Sequence, residues 1–464
     1  MSDVRTAVTT APLRTAGASR RTGAPDPTPL PALVGTGLPV PLVDGRTVPC
    51  VNLDLAASAP ALRAVADHVT ELLPYYSSVH RGAGYASQVC TSVLEGARHT
   101  VARFVGARPD DVVVFTRNTT DALNLLAGAV PGATLCLDVE HHATLLAWRG
   151  TDHRVLRAPD TVGETLDLLR DALTAERTAL LAITGASNVT GEILPIDEIC
   201  AIAHAAGTRV VLDAAQLAPH RRVDLAVSGV DYVVLSGHKL YAPYGAGALV
   251  GRRDWLDVAA PYLAGGGAVR SVGVEDRTAE VSWAPAPHRH EAGTPNVLGA
   301  AAIAAACRVL DPVIDEIVPA HERALLARLL GGLSGTVRPL RIWADAPDRV
   351  AVVSFTVADI PAGLVAAALS AEHGIGVRDG RFCAHPLLAR LAGGADAVRV
   401  SLGLNTTGSD VDRLVGAVRA IAASGPRWDY REVDGRWTPV PDPRDLDPLR
   451  LGTDAGPGGA VCGH

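Results

Sequence analysis

The chain of 464 residues has 42 Lys and Arg side chains, and lysine is almost absent from them: Lys239, in Val-Val-Leu-Ser-Gly-His-Lys, stands alone. Arg serves a surface cation as well as Lys does, so the depletion costs little at the surface. It excludes amine chemistry everywhere else, because a Schiff base needs an amine that can lose its proton and a guanidinium does not do so near neutral pH. Lys239 is therefore the candidate for covalent chemistry. Lysine-rich runs are missing too, and the formal net charge is -7. Both argue against a nucleic-acid or anionic-membrane partner and for a small ligand. No apolar stretch approaches the ~20 residues that span a bilayer, the longest being alanine-rich runs such as 300–306.

Other signatures fail for want of one residue. The seven cysteines (Cys50, Cys90, Cys136, Cys200, Cys307, Cys383 and Cys462) form no Cys-x-x-Cys pair and are odd in number. That indicates neither a zinc knuckle nor a disulfide framework, and a reducing cytoplasm is the expected compartment. His290-Glu291 begins a zincin-like string, but Thr294 stands where the second His is needed, so no metal site is expected. Ser236-Gly-His-Lys239 fits the Ser-x-x-Lys of serine β-lactamases, whose second lysine, in Lys-Thr-Gly, this chain lacks. Residues 1–35 carry no secretory apolar segment and read as a disordered leader. No internal repeat is visible.

What is present is a soluble-type composition, 48% hydrophobic, with chain enough for two or three domains. Between residues 110 and 250, short β-branched runs alternate with amphipathic stretches, the pattern of βαβ units and a mostly parallel sheet. Strands are predicted at 112–115, 134–138, 179–184, 209–213, 232–236 and 246–250, and helices at 119–127, 163–176 and 196–206. Helices 295–310 and 312–330 then lead to strand 349–355, helix 362–373, strands 374–377 and 397–402, and helix 410–423. The predicted organisation is an α/β large domain over 36–310 and a smaller α+β domain over 311–425. An extension over 426–464 is rich in Pro, Asp, Arg and Gly, with Trp428, Tyr430 and Trp437 as anchors and a disordered end.

Ligands of such sheets collect at the carboxyl ends of the strands. Asp213 ends one predicted strand, with Gln216 three residues on, and Lys239 follows the next in the same way. A carboxylate that keeps a pyridine nitrogen protonated, paired with a lysine that forms an imine, is what pyridoxal phosphate requires to act as an electron sink.

Several segments carry a family resemblance. They are Asn52-Leu-Asp-Leu-Ala-Ala-Ser, Val79-His-Arg-Gly, Phe115-Thr-Arg-Asn-Thr-Thr-Asp-Ala-Leu-Asn-Leu, Glu140-His-His-Ala, Ser187-Asn-Val-Thr-Gly, Asp213-Ala-Ala-Gln, Ser236-Gly-His-Lys-Leu-Tyr, Glu291-Ala-Gly-Thr-Pro-Asn and Val377-Arg-Asp-Gly-Arg-Phe-Cys-Ala. In this order, from Asn52 to Ile421, they resemble the class V, fold-type I pyridoxal-phosphate enzymes, most of all the group II cysteine desulfurases and selenocysteine lyases. The resemblance implies a mostly parallel seven-stranded sheet and pyridoxal 5'-phosphate bound to Lys239 as a Schiff base. Asp213 would meet the pyridinium, Gln216 the ring hydroxyl, and His141 the ring face. Thr119 and Thr120, at a helix start suited to phosphate, would form a cup with Ser236 and His238, with Thr294 reaching it from the partner of a homodimer.

Asn188, Arg378 and Arg399 would bind the amino-acid substrate, Arg399 as a fork for its carboxylate. Cys383 matches the loop cysteine that takes sulfur from L-cysteine as a persulfide and leaves alanine, its thiolate favoured by nearby Arg381 and His385. A sulfur-accepting protein is the implied partner. The alternative is a class V aminotransferase, carbon-sulfur lyase or epimerase acting on another amino acid, with Cys383 structural.

Overall fold

Seven strands make the large sheet of the computed structural model, which describes residues 30–450. In chain order they are β1 (Asp111–Thr116), β2 (Thr134–Leu137), β3 (His153–Leu156), β4 (Leu180–Thr184), β5 (Arg209–Asp213), β6 (Tyr232–Ser236) and β7 (Gly247–Arg252). Their order across the sheet is β1-β7-β6-β5-β4-β2-β3, and β7 alone runs antiparallel to its neighbours. Every residue of β2, β4 and β6 is buried, as expected of Leu- and Val-rich strands covered on both faces. The register pairs Thr184 with Asp213 and Asp213 with Val234, so the polar ends of β4, β5 and β6 emerge at one edge. The six predicted strands fall on β1, β2 and β4 to β7. The edge strand β3 was not predicted, because its His-Arg-Val-Leu stays partly exposed and lacks an apolar run.

The helices include α1 (Arg63–Leu72), α2 (Tyr85–Phe104), α3 (Thr119–Ala127), α4 (His142–Leu146), α5 (Val162–Ala175), α6 (Ile196–Ala205) and α7 (Val297–Leu310). Asn118 caps α3, its side chain accepting from Asp121 N at 3.0 Å, and Thr161 caps α5 in the same manner. Helix α7 is rich in buried alanines, which let α1 and α2 pack closely against it. An exposed hairpin of β8 (Val269–Glu275) and β9 (Thr278–Trp283) precedes it.

The following chain builds a second core. Helix α8 (Ile317–Leu333) leads to an antiparallel sheet of β10 (Arg338–Pro339), β11 (Val352–Thr356), β12 (Arg378–Gly380) and β13 (Ala397–Ser401), ordered β10-β11-β13-β12. Helices α9 (Ala362–His373), α10 (His385–Ala392) and α11 (Gly408–Ser424) accompany it. Leu329, Phe355, Leu369 and Val400 fill this core, which also takes in Val51 and Leu53 from the start of the chain. Buried Glu322 of α8 ties the two bodies, pairing with His220 and accepting from Arg221 at 2.9 Å.

After α11 comes a hairpin of β14 (Tyr430–Val433) and β15 (Arg436–Pro439). Glu372, near the end of α9, accepts from Arg427 N at 3.0 Å, Trp428 N at 3.2 Å and the Tyr430 hydroxyl at 3.1 Å. Most of the expected leader, up to residue 29, and the chain from 451 on, with Cys462, lie outside the described residues. Among the described residues, no helix is long and apolar enough to cross a membrane.

Candidate active site

A cavity of about 1190 Å³ opens where β4, β5 and β6 end, and every expected site residue except Thr294 lines it. Thr294 is exposed and lies off this cavity within a single chain. The turn from β6 to Lys239 passes through Gly237, where a Cβ would fall 2.8 Å from both Ala246 O and Ile303 Cγ1. Glycine is required there because strand and helix approach too closely for a side chain. Lys239 keeps some surface open to the cavity but is otherwise enclosed by protein. Burial brings its ammonium down to about 8; Asp213 and Cys383 oppose that shift and Arg399 adds to it.

Asp213 is buried. Its Oδ2 accepts from Thr144 Oγ1 at 2.8 Å and its Oδ1 from Ala215 N at 3.0 Å. Burial pushes its carboxyl above the usual range, against the pull of Ala215 N–H, Lys239 and Thr144. Such a group gains from a cation placed against it, which is what a protonated pyridine nitrogen offers. Fully buried Glu140 stands close by, pushed well above the carboxylate range by burial, with Asp213 and Asp138 adding to the shift. Neither of its carboxyl oxygens completes a hydrogen bond among the described residues, the Thr184 backbone lying near enough only to oppose the shift.

His141 caps α4, its Nδ1 accepting from Ala143 N at 3.0 Å, which places its proton on Nε2. Burial, then the positive neighbours Lys239, His142 and Arg399, bring it down to about 3, so it is a neutral ring suited to stacking. Gln216 Nε2 donates to Ala56 O at 2.6 Å, fixing its amide on the cavity wall. Ser236 Oγ lies 2.9 Å from both Thr119 N and Thr119 Oγ1. With Thr120 and His238 these hydroxyls surround the first turn of α3, a donor set that fits a phosphate. A buried lysine, a charge-hungry carboxylate, a neutral imidazole and this cup are together the groups that pyridoxal 5'-phosphate would use.

The opposite wall belongs to the second body. Arg399 of β13 is 3% exposed. Its Nη2 lies 3.0 Å from Asp54 Oδ1, its Nη1 donates to Asn188 O at 3.1 Å, and its guanidinium sits 5.1 Å over the Phe382 ring. Its buried Nε has no partner among the described residues, leaving a donor for a substrate carboxylate. Half-exposed Arg378 stands 3.8 Å from Asp54 Oδ2.

Phe382 and Cys383 adopt consecutive left-handed conformations, φ 52 and φ 53, each costing on the order of 1 kcal/mol or more for a residue with a side chain. Two residues of the large body hold them there. Asn188 Nδ2 donates to Phe382 O at 2.7 Å, and His142 N donates to Cys383 O at 2.8 Å. His142 Nε2 also accepts from His385 N at 3.3 Å, and the two rings meet edge-on at 4.5 Å. Arg381, expected to act on Cys383, is engaged by Asp396 at 3.2 Å.

Sequence reasoning did not assign Asp54, Thr144 or His142. Asp54 and His142 lie inside segments that carried the family resemblance, whereas Thr144 gives no local signal.

Residues 51–414 of the chain match the family described as Aminotransferase class-V. The chain belongs to that family. This class-V enzyme is 36% identical over 388 residues to a cysteine desulfurase of Dickeya dadantii, covering 80% of this chain and 92% of the relative. A cysteine desulfurase of Haloferax volcanii is 35% identical over 393 residues, covering 81% and 90% of the two chains. Among solved structures, the apo cysteine desulfurase of Thermococcus onnurineus superposes with a TM-score of 0.73 at 30% identity, covering 81% of this chain and 95% of that one. The cysteine desulfurase CsdA of Escherichia coli gives 0.69 at 32% identity, over 80% and 94%. The fold is fold-type I, as expected, and the class-V family implies pyridoxal phosphate and an amino-acid substrate.

Proposed function

We propose that this class-V enzyme is a cysteine desulfurase that holds pyridoxal 5'-phosphate on Lys239 and takes sulfur from L-cysteine onto Cys383, releasing L-alanine. The observation that carries this reading is that Cys383 shares one cavity with Lys239 and Arg399, on a loop pinned by Asn188 and His142. When bound, the cofactor supplies an electron sink at the substrate α-carbon. Asp213 would hold the ring nitrogen protonated, His141 would cover the ring, Gln216 would meet its hydroxyl, and Thr119, Thr120, Ser236 and His238 would take the phosphate.

Arg399 orients the substrate carboxylate, assisted by Asn188 and Arg378. Lys239, at about 8, has an amine that accepts and returns a proton at the α-carbon near neutral pH. The Cys383 thiolate attacks the substrate sulfur, the carbon–sulfur bond breaks, and its electron pair stays with the carbon, which is protonated. The balance is L-cysteine plus thiol giving L-alanine plus persulfide. In this reading Thr294 completes the phosphate site of a second copy in a homodimer, and residues 36–310 and 311–425 act as the large and small domains.

Intact mass and product analysis after mixing cofactor-loaded protein with L-cysteine tests the proposal. One sulfur gained by the wild type and absent from Cys383→Ala, with alanine formed, is expected. Pyruvate or a racemised amino acid made equally well by both proteins would instead make Cys383 structural.

A further inference from the structure

The hairpin of β14 and β15 lies beyond the family match, which ends at residue 414, yet it supplies part of the catalytic cavity. Gly435, Arg436 and Trp437 line that cavity together with Arg378 and Cys383. The hairpin is built in. Its base is fastened to α9 through Glu372. A Cβ on Gly363, in the first turn of α9, would fall 2.9 Å from Trp437 Cδ1, so the indole fills the space a side chain would take. A second cavity of about 400 Å³ shares Gly363, Asp379, Gly435 and Trp437 with the first.

The main cavity, about 1190 Å³, exceeds the ~300–1,000 Å³ usual for small-molecule sites and is larger than one cofactor and a three-carbon amino acid need. Its hairpin side carries Arg378 and Arg436 against Asp379. The Arg436 side chain is exposed and makes no hydrogen bond or ion pair among the described residues.

We propose that the hairpin forms an acceptor annex beside Cys383, a site for a small anionic thiol that carries away the sulfur Cys383 has taken up. This rests on the desulfurase reading above. The acceptor thiolate attacks the outer sulfur of the Cys383 persulfide, the sulfur–sulfur bond breaks, and its electron pair leaves with the Cys383 thiolate. The acceptor departs as a persulfide. One sulfur–sulfur bond replaces another, so the step needs no outside oxidant or reductant. Arg378 and Arg436 favour an acceptor bearing a carboxylate or sulfonate, and the Trp437 indole limits its size.

The test uses the full-length, cofactor-loaded protein, charged with L-cysteine and freed of excess substrate. Discharge of the persulfide by 2-mercaptoethanesulfonate, 2-mercaptoethanol and cysteamine is followed by intact mass at matched thiolate concentration. The sulfonate should act about 10-fold faster than cysteamine, and Arg436→Ala should cut that preference about threefold. Trp437→Ala should speed discharge by bulkier thiols. Arg431→Ala, on the hairpin but off the cavity, should leave the preference as it was. A second readout needs no persulfide: the ratio of iodoacetate to iodoacetamide alkylation at Cys383, mapped by peptide mass, should also fall about threefold in Arg436→Ala. Equal discharge by all three thiols, insensitive to the hairpin variants, would overturn the annex, leave the desulfurase reading intact, and point to a docking protein acceptor. No persulfide on Cys383 would sink both.

Discussion

Lys239 is the only lysine, so an amine-directed reagent has one side-chain target in the whole chain. Burial brings this ammonium down from 10.5 to about 8. At pH 7 about one molecule in ten then carries the free amine, against about one in three thousand for an ordinary lysine, a gain of roughly 300-fold in the reactive form. Acetylation of cofactor-free protein with acetic anhydride, quantified on the Lys239 peptide by mass spectrometry, should therefore rise with pH through a midpoint near 8. Asp213→Asn removes a negative charge that favours the ammonium, so its midpoint should move to lower pH. Arg399→Gln removes a positive charge that disfavours it, and its midpoint should move up. A wild-type midpoint near that of a free lysine, or an upward shift in Asp213→Asn, would refute the electrostatic account of this site.

Three further outcomes are expected. Asn188→Ala deletes the bond to Phe382 O, and losing a buried hydrogen bond of about 1–2 kcal/mol should slow single-turnover sulfur uptake by Cys383 about 10-fold. Glu140 is held protonated above its unfolded range, so its contribution to stability is complete below about pH 4.5 and is lost as pH rises toward its folded value. Glu140→Gln should accordingly match the wild type in thermal unfolding at pH 4 and exceed it by about 2 °C at pH 8. Glu322→Ala leaves Arg221 and His220 without their shared buried partner and should cost about 3–5 kcal/mol in denaturant unfolding. A loss below about 1 kcal/mol would show the network to be solvated.

The large sheet was legible because its strands are short, β-branched and buried on both faces, and because Arg209–Asp213 and Tyr232–Ser236 end in polar residues. The placing of Lys239 and Asp213 beside one another follows from that edge. Helices α1 and α2, which pack on α7 and the main core, were not predicted. Val51 and Leu53 gave no sign of their place in the second core, which depends on a contact more than three hundred residues away in sequence. The C-terminal hairpin carried a readable signal that was passed over: Asp434-Gly435 between Tyr-Arg-Glu-Val and Arg-Trp-Thr-Pro is a two-residue hairpin turn. Its surroundings, rich in Pro and Asp, obscured it. What no pattern could reveal was the bracing of Cys383, because Asn188 and His142 reach it through backbone oxygens, which have no side-chain identity to read.

That bracing works as an interlock. Cys383, the proposed nucleophile, belongs to the body built around β13, while both of its braces and Lys239 belong to the body built around β6. Parting the two bodies takes both braces from a loop that Ala384 N, donating to Arg381 O at 2.9 Å, closes on its own side, and it moves Cys383 away from Lys239 in the same motion. On the desulfurase reading, sulfur abstraction is thereby tied to the docked arrangement of the two halves.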